Sequence, residues 1–198
     1  MTLPALRSSV ATDNSTLSAS RFPLPASRFT AFAILGFALA VAAASQIAIP
    51  LPWTPVPVTL QPMLVILAGM WLGPLAGAGS MLLYLAAGAT GLPVFTPMGA
   101  PGLARFVGPT GGYLLAYPAA AYVSGVLARR ATSLNGRWMA GVAGIAVIFC
   151  GGITQLALLS GSFTRAVHLG VTPFAALDIV KAFVAAAISG SRAARRGV

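Results

Sequence analysis

The sequence predicts an all-α fold, a polytopic membrane protein built as a bundle of six transmembrane helices with both termini in the cytoplasm. Three observations carry this. Hydrophobic residues make up 58% of the 198 and charged residues only 7%, with a mean hydropathy of +0.89. A soluble domain carries roughly 25% charged residues. The apolar residues come in blocks, several of them near the ~20 residues that cross a bilayer, divided by proline, glycine and arginine. The arginines cluster between the blocks, as topology signals do.

Residues 1–28, rich in Ser, Thr, Pro and Arg without an apolar period, read as a flexible cytoplasmic tail ending in the basic run Arg21 to Arg28. The first span follows at about 29–49. Its Ala42-Ala43-Ala44 resembles a signal-peptidase site, but the block is long enough to span and the region before it is longer than signals have. A retained helix is therefore expected. The prolines of PLPWTPVPVTLQP forbid a regular helix until about Val58. Residues 58–72 and 75–90 are apolar runs divided by Gly73-Pro74, each short of spanning length. Two short or tilted helices joined by a tight turn fit better than one long helix that Pro74 would break. Residues 91–110 hold four prolines among several glycines. Such a composition suits a structured loop lying over the mouth of a bundle or re-entering it. Spans at about 111–128, 139–161 and 173–190 complete the six-helix membrane domain 29–191, the fifth starting just after Trp138, an interfacial residue type. A basic cytoplasmic tail, 192–198, closes the chain, and no repeat of 20 to 50 residues recurs.

Charge supports the count. With the N-terminus inside, cytoplasmic segments hold Arg7, Arg21, Arg28, Arg129, Arg130, Arg137, Arg192, Arg195 and Arg196, against Arg105 and Arg165 outside. The net charge of +10 does not point to nucleic acid, because the basic residues form no single patch and the apolar blocks would have no place on such a protein. Membrane lipid is the surrounding partner. Cys150 is the single cysteine and His168 the single histidine, so neither an internal disulfide nor a protein metal cage is expected. No GxxxxGK[ST], GxSxG or HExxH occurs, and the chain is read as neither an enzyme nor a cofactor carrier. Asn14-Ser15-Thr16 is a glycosylation sequon, but it falls in the predicted cytoplasmic tail.

The charges that remain stand out. Only two acidic residues occur, and one of them, Asp178, lies three positions from the only lysine, Lys181, within PFAALDIVKAFVAAAISG. Residues three apart share a helix face. A charge in an apolar helix costs about 2.5 to 3.5 kcal/mol on insertion scales, so such residues face a cavity, a partner or a substrate. One reading is a structural ion pair that joins helices. The other is a ligand site, since small residues (Ala175, Ala182, Ala185, Ser189) share the stripe and leave room. Aspartate accepts from ligand N–H groups, and an ammonium donates to a carbonyl or carboxylate. Arg105, in the glycine-rich loop without an acidic neighbour, is either a solvated charge or a clamp for an anionic group. Gln61 sits where the proline loop enters the bundle and is a candidate ligand contact, whereas Gln155 suits an interhelical hydrogen bond. Tyr84 and Phe95 are candidate pocket walls. Trp53 and Tyr113 carry a weaker claim because aromatics at membrane boundaries are commonly belt residues. The first span has small-xxx-small spacing at Gly36/Ala40/Ala44 and Ala38/Ala42, which lets another helix approach closely.

Pro57-Val58-Thr59-Leu60-Gln61, Leu67-Ala68-Gly69, Leu72-Gly73-Pro74, Tyr84-Leu85 with Gly88, Gly91-Leu92-Pro93-Val94-Phe95, Gly108-Pro109-Thr110-Gly111-Gly112-Tyr113 and Asp178-Ile179-Val180-Lys181 occur in this order. Together they resemble the BioY family of biotin transporters over residues 57 to 181. The resemblance implies the substrate-binding S component of an energy-coupling factor (ECF) transporter. Such a protein takes biotin from outside and works with a transmembrane T component and a pair of cytoplasmic ATPases, in keeping with the missing P-loop. It implies that Asp178 and Lys181 contact the ureido ring, that Arg105 is the candidate partner of the valerate carboxylate, and that Ala38, Ala40, Ala42 and Ala44 dock on the T component. Three other readings stay open: an S component for another vitamin, a proton-coupled carrier in which Asp178 titrates, and a membrane enzyme using Asp178 as acid or base.

Overall fold

A computed structural model describes the backbone of residues 28–195 and the side chains of residues 30–190. The expected tail before residue 28, with Arg7, Arg21 and the sequon, lies outside the described residues. So do residues 196–198 of the expected basic tail.

Seven α-helices and one small hairpin follow one another: α1 Arg28–Gln46, β1 Ile49–Leu51, β2 Thr54–Val58, α2 Gln61–Leu72, α3 Pro74–Ala89, a 3-10 helix Gly102–Val107, α4 Gly111–Arg130, α5 Leu134–Ser160, α6 Phe163–Gly170 and α7 Ala175–Arg195. Two of these elements were not expected. The proline segment forms an antiparallel hairpin, pairing Ile49 with Val58 and Leu51 with Thr54. Proline holds its own residue and the one before it near extended backbone, which suits a short edge pair as well as it forbids a helix. The segment FTRAVHLG closes into the short helix α6, capped by Ser162, whose side chain accepts from the Arg165 N–H at 3.3 Å. Likewise α5 starts at Leu134, before the expected 139, because the Ser133 hydroxyl caps it by accepting from the Gly136 N–H at 3.1 Å.

Six of the helices run back and forth between two ends. At one end Ser45 and Gln46 of α1 bond the carbonyls of Pro93, Val94 and Phe95, and the hairpin, the 91–110 loop and α6 gather there. At the other end α2 turns into α3 at Gly73, whose φ of 86° only glycine adopts without strain, and the Arg129 side chain lies over it. Arg137 reaches α7 there, its Nε donating to the Ala186 carbonyl at 3.4 Å.

The bundle closes through small residues. A Cβ on Gly69 would land on the Ala121 carbonyl, one on Gly125 would sit 2.7 Å from the Gly69 carbonyl, and one on Gly144 would sit 2.8 Å from Ile66 Cγ2. Backbones of α2, α4 and α5 therefore touch, the packing expected where lipid supplies no hydrophobic drive between helices. Among the described residues, α5 alone passes as a span by length and hydropathy, with a mean of 2.1 over its most apolar window. The pair Phe163–Gly170 and Ala175–Gly190, bent by 53°, would pass together. Helices α2 (12 residues) and α3 (16 residues) reach only about 18 and 24 Å at ~1.5 Å per residue, less than a ~30 Å hydrocarbon core.

Candidate functional site

At the hairpin end the helices part around a cavity of about 620 Å³, some of it open to solvent. Hairpin residues Val56 and Pro57 and loop residues Phe95, Thr96 and Thr110 form its upper wall. Tyr84 of α3 and Tyr113, Leu114 and Tyr117 of α4 line one side, and Ile148 and Phe149 of α5 another. Thr59, Gln61 and Pro62 enter from the start of α2, and Phe174, Asp178 and Lys181 from α7.

Asp178 and Lys181 are both buried, and Lys181 Nζ donates to Asp178 Oδ1 at 2.7 Å. Helical spacing sets this pairing, because residues three apart meet on one face. The ammonium also donates to the Thr59 carbonyl at 2.8 Å, tying α7 to the turn between β2 and α2. An ammonium has three protons, so one remains beyond these two bonds. Next to it, Gln61 Nε2 donates to the Tyr84 hydroxyl at 2.7 Å, and the Thr59 hydroxyl donates to Gln61 Oε1 at 3.3 Å. The Tyr84 ring meets Phe95 edge-on at 5.4 Å and stacks on Tyr117 at 6.4 Å. Gly88 permits the Phe95 position, because a Cβ there would fall inside the ring. The site therefore offers an ionised acceptor, an ammonium donor, amide and hydroxyl groups and aromatic walls in one enclosure.

Five of the expected site residues, Gln61, Tyr84, Phe95, Asp178 and Lys181, line this one cavity. Arg105 is not in its wall. The side chain turns back into its own loop, its terminal nitrogens donating to the carbonyls of Met98 and Thr96, with its carbon centre 5.9 Å from the Phe95 ring. Its Nε is buried without a partner. Burial lowers the Arg105 pKa from the ordinary guanidinium value, and Tyr84 opposes that shift. In this conformation Arg105 braces the loop, and the expected anion clamp would require it to release those carbonyls. Gln155, expected between helices, instead holds the same loop by donating to the carbonyls of Phe106 and Gly108 at 3.3 and 3.4 Å.

The four alanines of α1 divide. Ala38 and Ala44 are buried within the chain's own bundle and so are not free to meet another helix. Ala40 and Ala42 are half-buried. The open face of α1 carries Phe32, Leu35, Gly36, Leu39 and Ala43.

The structure also brings in residues that sequence reasoning passed over. Thr59 is a hub for Lys181 and Gln61, and its neighbours Pro57 and Gln61 in the PVTLQ motif were the available signal. Tyr113, given only a weaker claim as a pocket wall, lines the cavity and donates to the Gly170 carbonyl at 2.8 Å. Tyr117 lies four residues on, at the spacing that repeats a helix face. Among the described residues no group of three His, Cys, Asp or Glu side chains gathers.

Comparison with known proteins places this site in context. A family model described as the BioY family matches residues 17–197. The probable biotin transporter BioY of Pyrococcus horikoshii is 43% identical over 135 residues, covering 68% of this chain and 79% of that protein. The biotin transporter BioY of Thermotoga maritima is 38% identical over 141 residues, covering 71% and 83%. Among solved structures, a 2.1 Å crystal structure of the S-component for biotin from an ECF-type ABC transporter superposes with a TM-score of 0.77. That match has 26% identity and covers 86% of this chain and 93% of the other.

Proposed function

This chain belongs to the BioY family, and on that premise we propose that it captures biotin from outside the cell and serves as the S component of an ECF transporter in the cytoplasmic membrane. The observation that carries the reading is the buried Asp178–Lys181 pair in the wall of an aromatic-lined cavity. Biotin combines N–H donors, a carbonyl, an apolar bicycle and a carboxylate. Asp178 accepts from the ureido N–H groups and Lys181 donates to the ureido carbonyl. Tyr84, Phe95 and Phe174 hold the bicycle, and Gln61 bonds the ligand through the amide it shares with Tyr84. The valerate chain leads toward the mouth between hairpin and loop, where Arg105 reaches its carboxylate if the loop opens.

Six helices, α1 to α5 and α7, cross the membrane, with α2 and α3 short enough to thin the bilayer beside them. Both termini are cytoplasmic, because Arg129, Arg130 and Arg137 lie at the end away from the cavity. A T component packs on the open face of α1 around Gly36, Leu39, Ala40 and Ala43. Partner ATPases supply the energy, and no bond is made or broken on this chain. Binding outside, reorientation against the T component and release inside form one cycle of population shifts.

The test is uptake of labelled biotin in cells that lack their own transporter, with T component and ATPases supplied. Uptake that stops on ATP depletion and continues when the proton gradient is collapsed supports the proposal. The opposite pattern assigns the chain to proton-coupled carriers.

A further inference from the structure

Three tyrosines line the cavity, and their hydroxyls differ. Tyr84 receives a hydrogen bond from Gln61, and Tyr113 gives one to the Gly170 carbonyl. Tyr117 is 4% exposed as a residue and lines the cavity, and its hydroxyl makes no hydrogen bond among the described residues. The oxygen is open to the cavity rather than sealed in the packing, so it is free to bond a group that enters there. Packing does not need this hydroxyl. The ring supplies the stacking on Tyr84, 25° from parallel, and a phenylalanine would do the same.

The depth of Tyr117 says what it meets. It is the seventh residue of α4, and Lys181 is the seventh of α7; both helices begin at the cavity end. At ~1.5 Å per residue each lies about 9 Å along its helix. Two donors, the Tyr117 hydroxyl from α4 and the uncommitted Lys181 proton from α7, thus line the same cavity, whose wall does not include Arg105. Paired donors suit one acceptor oxygen, which has two lone pairs.

We infer that Tyr117 is a ligand-binding residue whose hydroxyl donates to the carbonyl oxygen at the buried end of the ligand, opposite Lys181. The assignment rests on the biotin reading above and deepens it: the oxygen is that of the cyclic urea, and the protein reads it from both sides.

The experiment measures equilibrium binding to the purified full-length chain in detergent, wild type against Tyr117→Phe. The probes are biotin, desthiobiotin (urea kept, ring sulfur removed) and biotin methyl ester (urea kept, charge removed). Without ligand the two proteins melt at the same temperature, because the lost hydroxyl bonds nothing in the protein. The expected result is a loss of roughly tenfold in affinity, the size of one hydrogen bond, and the same for all three probes. Unchanged affinity overturns the Tyr117 assignment and leaves the biotin reading standing. A loss confined to probes with sulfur, or absent with the ester, moves the contact to another ligand atom and also overturns it. Wild type that binds none of the probes removes the biotin reading itself, and this assignment with it.

Discussion

Along one stripe of α4 the residues are Tyr113, Tyr117, Ala121 and Gly125, each four after the last. The two tyrosines stand in the wall of a cavity, whereas Ala121 and Gly125 touch α2 and the start of α3 backbone to backbone. The same helix thus makes a gap at one end and a seam at the other, through side-chain size alone. Helix α2 mirrors it, passing from Gln61 in the cavity to Gly69 in the seam. The comparison teaches that the cavity needs no flexible floor. Its base is the close-packed half of the bundle, so side chains and loops of the outer half can respond to a ligand while the helices stay in place.

The seam breaks most easily. Gly69→Val puts branched carbon against the Ala121 carbonyl and the Ser124 hydroxyl, with backbone on the other side that cannot yield. A loss of about 3 kcal/mol is expected, at the upper end of overpacking costs, seen as a collapse of monodisperse protein on size exclusion. A variant that melts like wild type would show that the seam is loose. The cavity responds in affinity instead. Asp178→Asn removes the charge that Lys181 pairs with, and biotin binding should weaken by a hundredfold or more, in line with the ~2–5 kcal/mol of a truncated buried charge pair. Retained affinity would make the pair structural.

How far the sequence reached follows the same division. Asp178 and Lys181 were legible because charge in an apolar helix has few physical excuses, and Gln61 because an amide at the mouth of a span has few more. The seam was not legible: small residues are so common here that Gly69 or Gly125 carries no mark in the sequence. Tyr117 was missed, and Tyr113 was given only a weaker claim, for another reason. Membrane-boundary aromatics look alike whether they face lipid or a cavity, and only the register of α4 against α5 and α7 decides. Arg105 shows a third limit, since a long side chain in a loop chooses its own acceptors, and those are backbone carbonyls that no residue type announces. The hairpin hid behind its prolines, which exclude a helix without naming what replaces it.

Two smaller effects sharpen the contrast within the outer half. Arg105→Gln removes two charge-assisted bonds to the loop, and such bonds contribute ~1.5–3 kcal/mol each. Residues 91–110 should then exchange their amide hydrogens faster while α2, α4 and α5 keep their protection. Equal loosening throughout would deny that the two halves are independent. Tyr113→Phe frees the Gly170 carbonyl and should lower stability by about 1 kcal/mol, read as a shift in melting temperature, with a smaller effect on affinity.

The most direct measurement replaces the central pair by apolar residues of similar size, Asp178→Leu with Lys181→Met, and follows labelled biotin binding together with thermal melting. Buried ion pairs exchanged for well-packed apolar groups leave stability unchanged or raised. The account predicts a folded chain that melts lower only by the roughly 1 kcal/mol of the lost Lys181–Thr59 hydrogen bond, and that binds no biotin at concentrations that saturate wild type. A double variant that still binds biotin tightly would contradict it, leaving Asp178 and Lys181 as a brace between α7 and the Thr59 turn.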